Sequence, residues 1–107
     1  MANAADYIAD VQKYAPEATE EEVAKIVKHL GIALAKRDSS LVSCSDPSEL
    51  ERVRESWLKR KLALTDSDAD LDAAISAVCT TLAGDTSKER VTFYYLLAQK
   101  YGKVATL

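Results

Sequence analysis

The run Val91-Thr92-Phe93-Tyr94-Tyr95-Leu96-Leu97-Ala98 constrains this chain more than any other stretch. On a helix it is apolar on nearly every side, and such a helix has to be enclosed, at the centre of its own domain or against another chain. Its β-branched and aromatic side chains would also suit a strand. However, Lys88, Glu89 and Arg90 before the run and Gln99 and Lys100 after it continue a helical register. A helix from about Asp85–Ser87 to Tyr101 is therefore expected, with Gly102 after it. Enclosing it takes several partners.

Four further stretches have apolar residues at helical spacing, each with start or stop chemistry beside it. The first runs from Asn3 to Ala15, with Tyr7, Val11 and Tyr14 on one face and Ile8 at its edge; Pro16 ends it. The second starts at Thr19, where Thr19 and Glu22 have capping-box spacing, and carries Val23, Ile26, Val27, Leu30 and Leu34 as its stripe. Lys36 and Arg37 suit its end, Gly31 marks a close helix contact, and Ile32 lies nearly opposite the stripe. The third opens at Asp46-Pro47-Ser48-Glu49: a cap, a proline at the first helical position and a glutamate to complete the box. Leu50, Val53, Trp57 and Leu64 share its face. The fourth opens in Thr65-Asp66-Ser67-Asp68, carries Leu71, Ala74, Ile75, Val78 and Leu82, and stops at Gly84. The expected fold is all-α: one compact domain over residues 1–107, of about five short helices, the last central or at an oligomer interface.

Composition excludes several function classes. The 107 residues suffice for one core, and no apolar run approaches the roughly 20 residues that span a bilayer. Met1 to Val11 holds two aspartates and no basic segment, so no secretory signal is read there and a cytoplasmic location is expected. In that compartment the two cysteines are expected as reduced thiols. Fourteen basic against seventeen acidic side chains, a net charge of −3, give no support to nucleic-acid binding.

Chemistry-bearing residues are few. His29 is the single histidine, and Cys44 sits in a serine-rich loop before the third helix. Together they are the one arrangement from which an enzyme could be built, a thiol activated near a helix start and a base to serve it. No local signature surrounds Cys44, and Asp46 adds a negative charge beside it, so a loop thiol and a border histidine are the plain reading. Cys79 reads as a small buried hydrophobe on the fourth helix. Asp66, Asp68 and Asp70 open like a calcium loop, but Leu71 replaces its glycine and Ala77 its glutamate; the aspartates suit a helix start instead. No phosphate loop, nucleophile elbow or zinc motif is present, and no cofactor or metal is implied.

Two surfaces are candidates for binding. One is basic, on the third helix, where Arg52, Lys59 and Arg60 could contact a polyanion or small molecule, although Glu49, Glu51 and Glu55 lie within pairing distance along the helix. The other is an interface between copies of the chain, formed by Ile32, Phe93, Leu96 and Leu97. Tyr94, Tyr95 and Tyr101 could also line a small pocket against Trp57.

Three blocks carry a resemblance: Ala24–Leu34, Leu41–Asp46 and Arg90–Ala98. Together they resemble the bacterial family known as domain of unknown function 2853, from about Asp6 to Lys103. The resemblance implies a compact all-helical protein and carries over no catalytic residue. The expectation is a non-catalytic binding or structural module that self-associates, with a polyanion or small-molecule accessory module and a Cys44/His29 enzyme as alternatives.

Overall fold

The chain's capping chemistry is realised at three helix starts, where the side chains of Thr19, Asp46 and Ser67 accept from backbone N–H groups. The computed structural model describes residues 3–34, 40–85 and 88–107. Among them the helices are α1 (Ile8–Gln12), α2 (Glu20–Leu30), α3 (Pro47–Arg52), α4 (Asp68–Thr81) and α5 (Arg90–Lys100). Short 3₁₀ turns cover Ala4–Asp6, Gly31–Leu34 and Val104–Thr106. An isolated bridge between Leu41 and Glu89 is the one β pairing among the described residues. The fold is all-α and compact, with a radius of gyration of 12.6 Å.

At the start of α2, Thr19 Oγ1 accepts from Glu22 N at 3.2 Å while Glu22 Oε1 accepts from Thr19 N at 3.0 Å, closing the expected box. α2 ends at Leu30, earlier than the stripe implied. Gly31 stops it with φ +45°, a conformation that costs glycine little, and a Cβ there would meet nothing within 4 Å. The glycine is thus a terminator and makes no close helix contact. The Lys36 and Arg37 expectation, and that for the Ile32 side chain, fall outside the described residues.

Asp46 caps α3 as read, accepting from Ser48 N at 3.0 Å. Beyond Arg52, however, the helix widens into a π segment over Val53–Lys61. Each hydrogen-bonded turn then spans one residue more than in an α-helix, and the buried side chains are Val53, Trp57, Leu58 and Leu62. Leu50 and Leu64, placed on the main face by an α repeat, lie half-buried at its margins. Leu62 N closes an i→i+5 bond to Trp57 O at 2.9 Å. The exit passes through Ala63 at φ +57°, a left-handed position held by a residue with a Cβ.

The run Val91–Ala98 is buried at every position, and α5 contacts α1, α2, the π segment and α4. Of the two enclosures open to it, the chain itself supplies one. Trp57, fully buried, donates from Nε1 to Tyr94 O at 3.1 Å and stacks on the Tyr94 ring with centroids 4.7 Å apart. This contact joins the π segment to the central helix.

Candidate functional site

α3 and α4 run past one another with a cleft between them. Its volume is about 410 Å³, within the range of small-molecule sites. The floor is apolar: Pro47 and Leu50 come from α3, and Ile75 from α4. Capping dictates the placement, because Asp46 fixes the first turn of α3 so that Leu50 faces α4.

One end of the cleft is closed by a bond that sequence reasoning missed. Cys44 and Cys79, expected as separate reduced thiols, are joined by a disulfide, with Cα atoms 6.0 Å apart. Cys79 is half-buried, where a small hydrophobe of the core was expected. The bridge also leaves no free thiol at Cys44, which corrects the reading of that residue as a loop thiol or nucleophile. A separation of 35 residues gives no local signal for the pair.

The middle of the cleft is charged. Arg54 donates to both Asp72 carboxylate oxygens at 3.1 Å, and to Glu55 Oε2 at 2.8 Å. Lys59 bridges Glu55 at 3.0 Å and Asp68 at 2.5 Å. These cations hold the Glu55 and Asp68 carboxyls below their ordinary range, chiefly through hydrogen bonds from Arg54 and Lys59 respectively. Glu51 also lines the cleft and is exposed, with no ion pair among the described residues. The lining therefore holds two carboxylates, Glu51 and Asp72, against one guanidinium, Arg54.

The other sequence candidates are dispersed. Of the basic trio, Lys59 is engaged as above, Arg52 reaches Glu49 at 3.5 Å with its side chain 76% exposed, and Arg60 faces solvent. Phe93 and Leu97 are fully buried and Leu96 nearly so, all inside the single chain, which gives self-association through α5 no support. The His29 ring packs against Trp57 at 5.1 Å between centroids. Desolvation there, aided by nearby Lys61, lowers the imidazole pKa. Tyr94 stacks on Trp57 as noted, whereas Tyr95 donates to Glu22 Oε1 at 3.0 Å. Burial and that carboxylate push the Tyr95 hydroxyl up to about 12. Asp68 is taken up by Lys59, and no group of three or more metal-ligating side chains exists among the described residues.

A further pair was also missed. Glu49, read as part of a capping box, turns inward and pairs with Arg90, the two side chains 11% and 12% exposed. Arg90 also donates to Leu41 O at 3.1 Å and lies over the Tyr94 ring.

Compared with known sequences, residues 6–105 match the profile of a family described as "Protein of unknown function (DUF2853)". No curated protein matches the chain.

Proposed function

The chain belongs to the DUF2853 family of proteins of unknown function, so its role is read from its own geometry, and we propose that it is a non-catalytic binding module whose site is the α3–α4 cleft. The observation that carries this reading is the cleft itself: about 410 Å³, floored by Pro47, Leu50 and Ile75 and rimmed by a net negative set of side chains. A small molecule with an apolar body and a cationic amine suits that lining. Its body would cover the floor and its amine would meet Glu51, the rim carboxylate that no cation of the described protein occupies.

A polyanion held by Arg52, Lys59 and Arg60 is the weaker reading, because Lys59 is committed to Glu55 and Asp68 and Arg52 reaches Glu49, which leaves Arg60 facing solvent. An enzyme built on Cys44 and His29 is the weakest reading, because Cys44 is bonded to Cys79 and the His29 ring packs on Trp57. No helix among the described residues is long and apolar enough to cross a membrane.

The test is a titration of ¹⁵N-labelled protein with phenethylamine and, in parallel, phenylacetate, which share a ring and oppose each other in charge. Shifts at Leu50, Glu51 and Ser76 are expected with the amine, weaker with the acid, and lost in Ser76→Trp, whose indole would fill the cleft from an exposed rim position. No shift at those amides, or shifts that persist in Ser76→Trp, would overturn the assignment.

A further inference from the structure

The Cys44–Cys79 bridge occupies a particular mechanical position. On its amino-terminal side the chain is tied to α5 and the segment before it: Val42 N donates to Lys88 O at 2.8 Å, and Arg90 reaches Leu41 O. On its carboxy-terminal side, the buried Glu49–Arg90 pair ties the first turns of α3 to α5 as well. Neither tie runs to α4. Along this end of the cleft the disulfide is the covalent link to α4, whereas farther along Arg54–Asp72 and Lys59–Asp68 bind the π segment to α4. Both bridged residues are half-buried and both line the cleft, which is the route a small reductant would take to them.

We infer that Cys44 and Cys79 form a reversible thiol–disulfide couple that sets the width of the cleft, so that binding there follows the reducing state of the surroundings. This rests on the cleft being the binding site. The couple needs a dithiol reductant. One of its thiolates attacks Sγ of either cysteine, breaking the Sγ–Sγ bond and forming a mixed disulfide, and its second thiol then resolves that intermediate. Two electrons and two protons are delivered to Cys44 and Cys79, and the reductant leaves as its own disulfide. Unbonded sulfurs must then part to van der Waals contact, which moves the Cys44–Asp46 turn away from α4 and widens that end. The rest of the fold keeps its ties to α5. In a reducing compartment the disulfides that form are in general transient or sensing ones, the behaviour this arrangement suits.

The experiment uses the whole chain, oxidised and after dithiothreitol, with thiols counted by alkylation and mass. Reduction is expected to release two thiols, leave the helical circular dichroism in place, and reverse on reoxidation. The amides of Arg54 and Asp72, in the middle of the cleft, are expected to shift. The phenethylamine Kd is expected to change by about fivefold or more, the lower end of ordinary coupling. Cys44→Ser and Cys79→Ser should bind like the reduced protein and ignore dithiothreitol. Loss of helical signal on reduction would overturn the inference by making the bridge a structural staple. A folded reduced protein with unchanged Kd would overturn it while leaving the binding assignment standing. Absence of amine binding in both states would remove the binding assignment and, with it, the coupling.

Discussion

The two ends of α3 carry charges of the same kinds and use them differently. At its start, Glu49 and Arg90 are nearly enclosed and meet across 41 residues of sequence. In the π segment, Arg54 and Lys59 meet Glu55, Asp68 and Asp72, whose side chains are about half exposed. A pair taken out of water is destabilised severely when one partner is removed, because the survivor is a buried charge. An exposed pair loses little, since water re-solvates what remains. The first end fixes how α3 docks on α5; the second trims how α3 lies along α4.

That contrast can be broken by experiment, beginning where the effect is largest. Arg90→Met should cost about 3 kcal/mol in urea unfolding, because buried Glu49 keeps as its cation the exposed Arg52 at 3.5 Å and Leu41 O loses a donor. A loss under about 1 kcal/mol would put both ends in the same class. Cys44→Ser should cost about 2–4 kcal/mol, from the freedom regained by a long loop in the unfolded chain. The same urea curves measure it against the oxidised protein.

At the far end of the π segment, Ala63→Gly should stabilise by about 1 kcal/mol, since glycine adopts φ +57° without a Cβ conflict. A destabilised variant would show that the Ala63 methyl packs usefully. Arg54→Met should cost no more than about 1 kcal/mol, and less in high salt. Retention of the full cost at molar salt would mean that this pair behaves as a buried one.

The smallest effect concerns acid. Partial desolvation of the exposed His29 side chain where its ring meets Trp57, with Lys61 nearby, lowers its pKa in the folded chain, so the unfolded chain binds the proton first. The contribution is complete above the unfolded value of about 6.5 and is lost as pH falls below it. Melting temperature should dip between pH 7 and the folded pKa, and His29→Gln should flatten that stretch. A second loss is expected below about pH 4, where Glu55 and Asp68, held low by Arg54 and Lys59, take up protons.

Much of the fold was legible because its signals are local. Thr19 with Glu22, and Asp46 before Pro47, announce helix starts within four residues. The run Val91–Ala98 announces a helix that must be enclosed. The misreadings have physical causes. The face of α3 was drawn at 3.6 residues per turn, and the π segment moves burial to Leu58 and Leu62, five residues beyond Val53 and Trp57. Gly31 fits an amphipathic pattern, and nothing in the pattern says that its backbone reverses. Of the cleft, Leu50 and Ile75 were visible only as helix-stripe residues. Cys44 was visible only as a thiol.

The sequence by itself determined the helical class, the main helix starts and the helix that had to be enclosed, because caps and apolar periodicity act over one or two turns. Only the tertiary structure decided that Cys44 meets Cys79, that Glu49 meets Arg90, and that α3 and α4 leave a cleft between them. Those partners lie 35 and 41 residues apart in the chain, and they are chosen by which helix faces pack. That choice is made by burial of the whole core, a property that no short stretch of sequence contains.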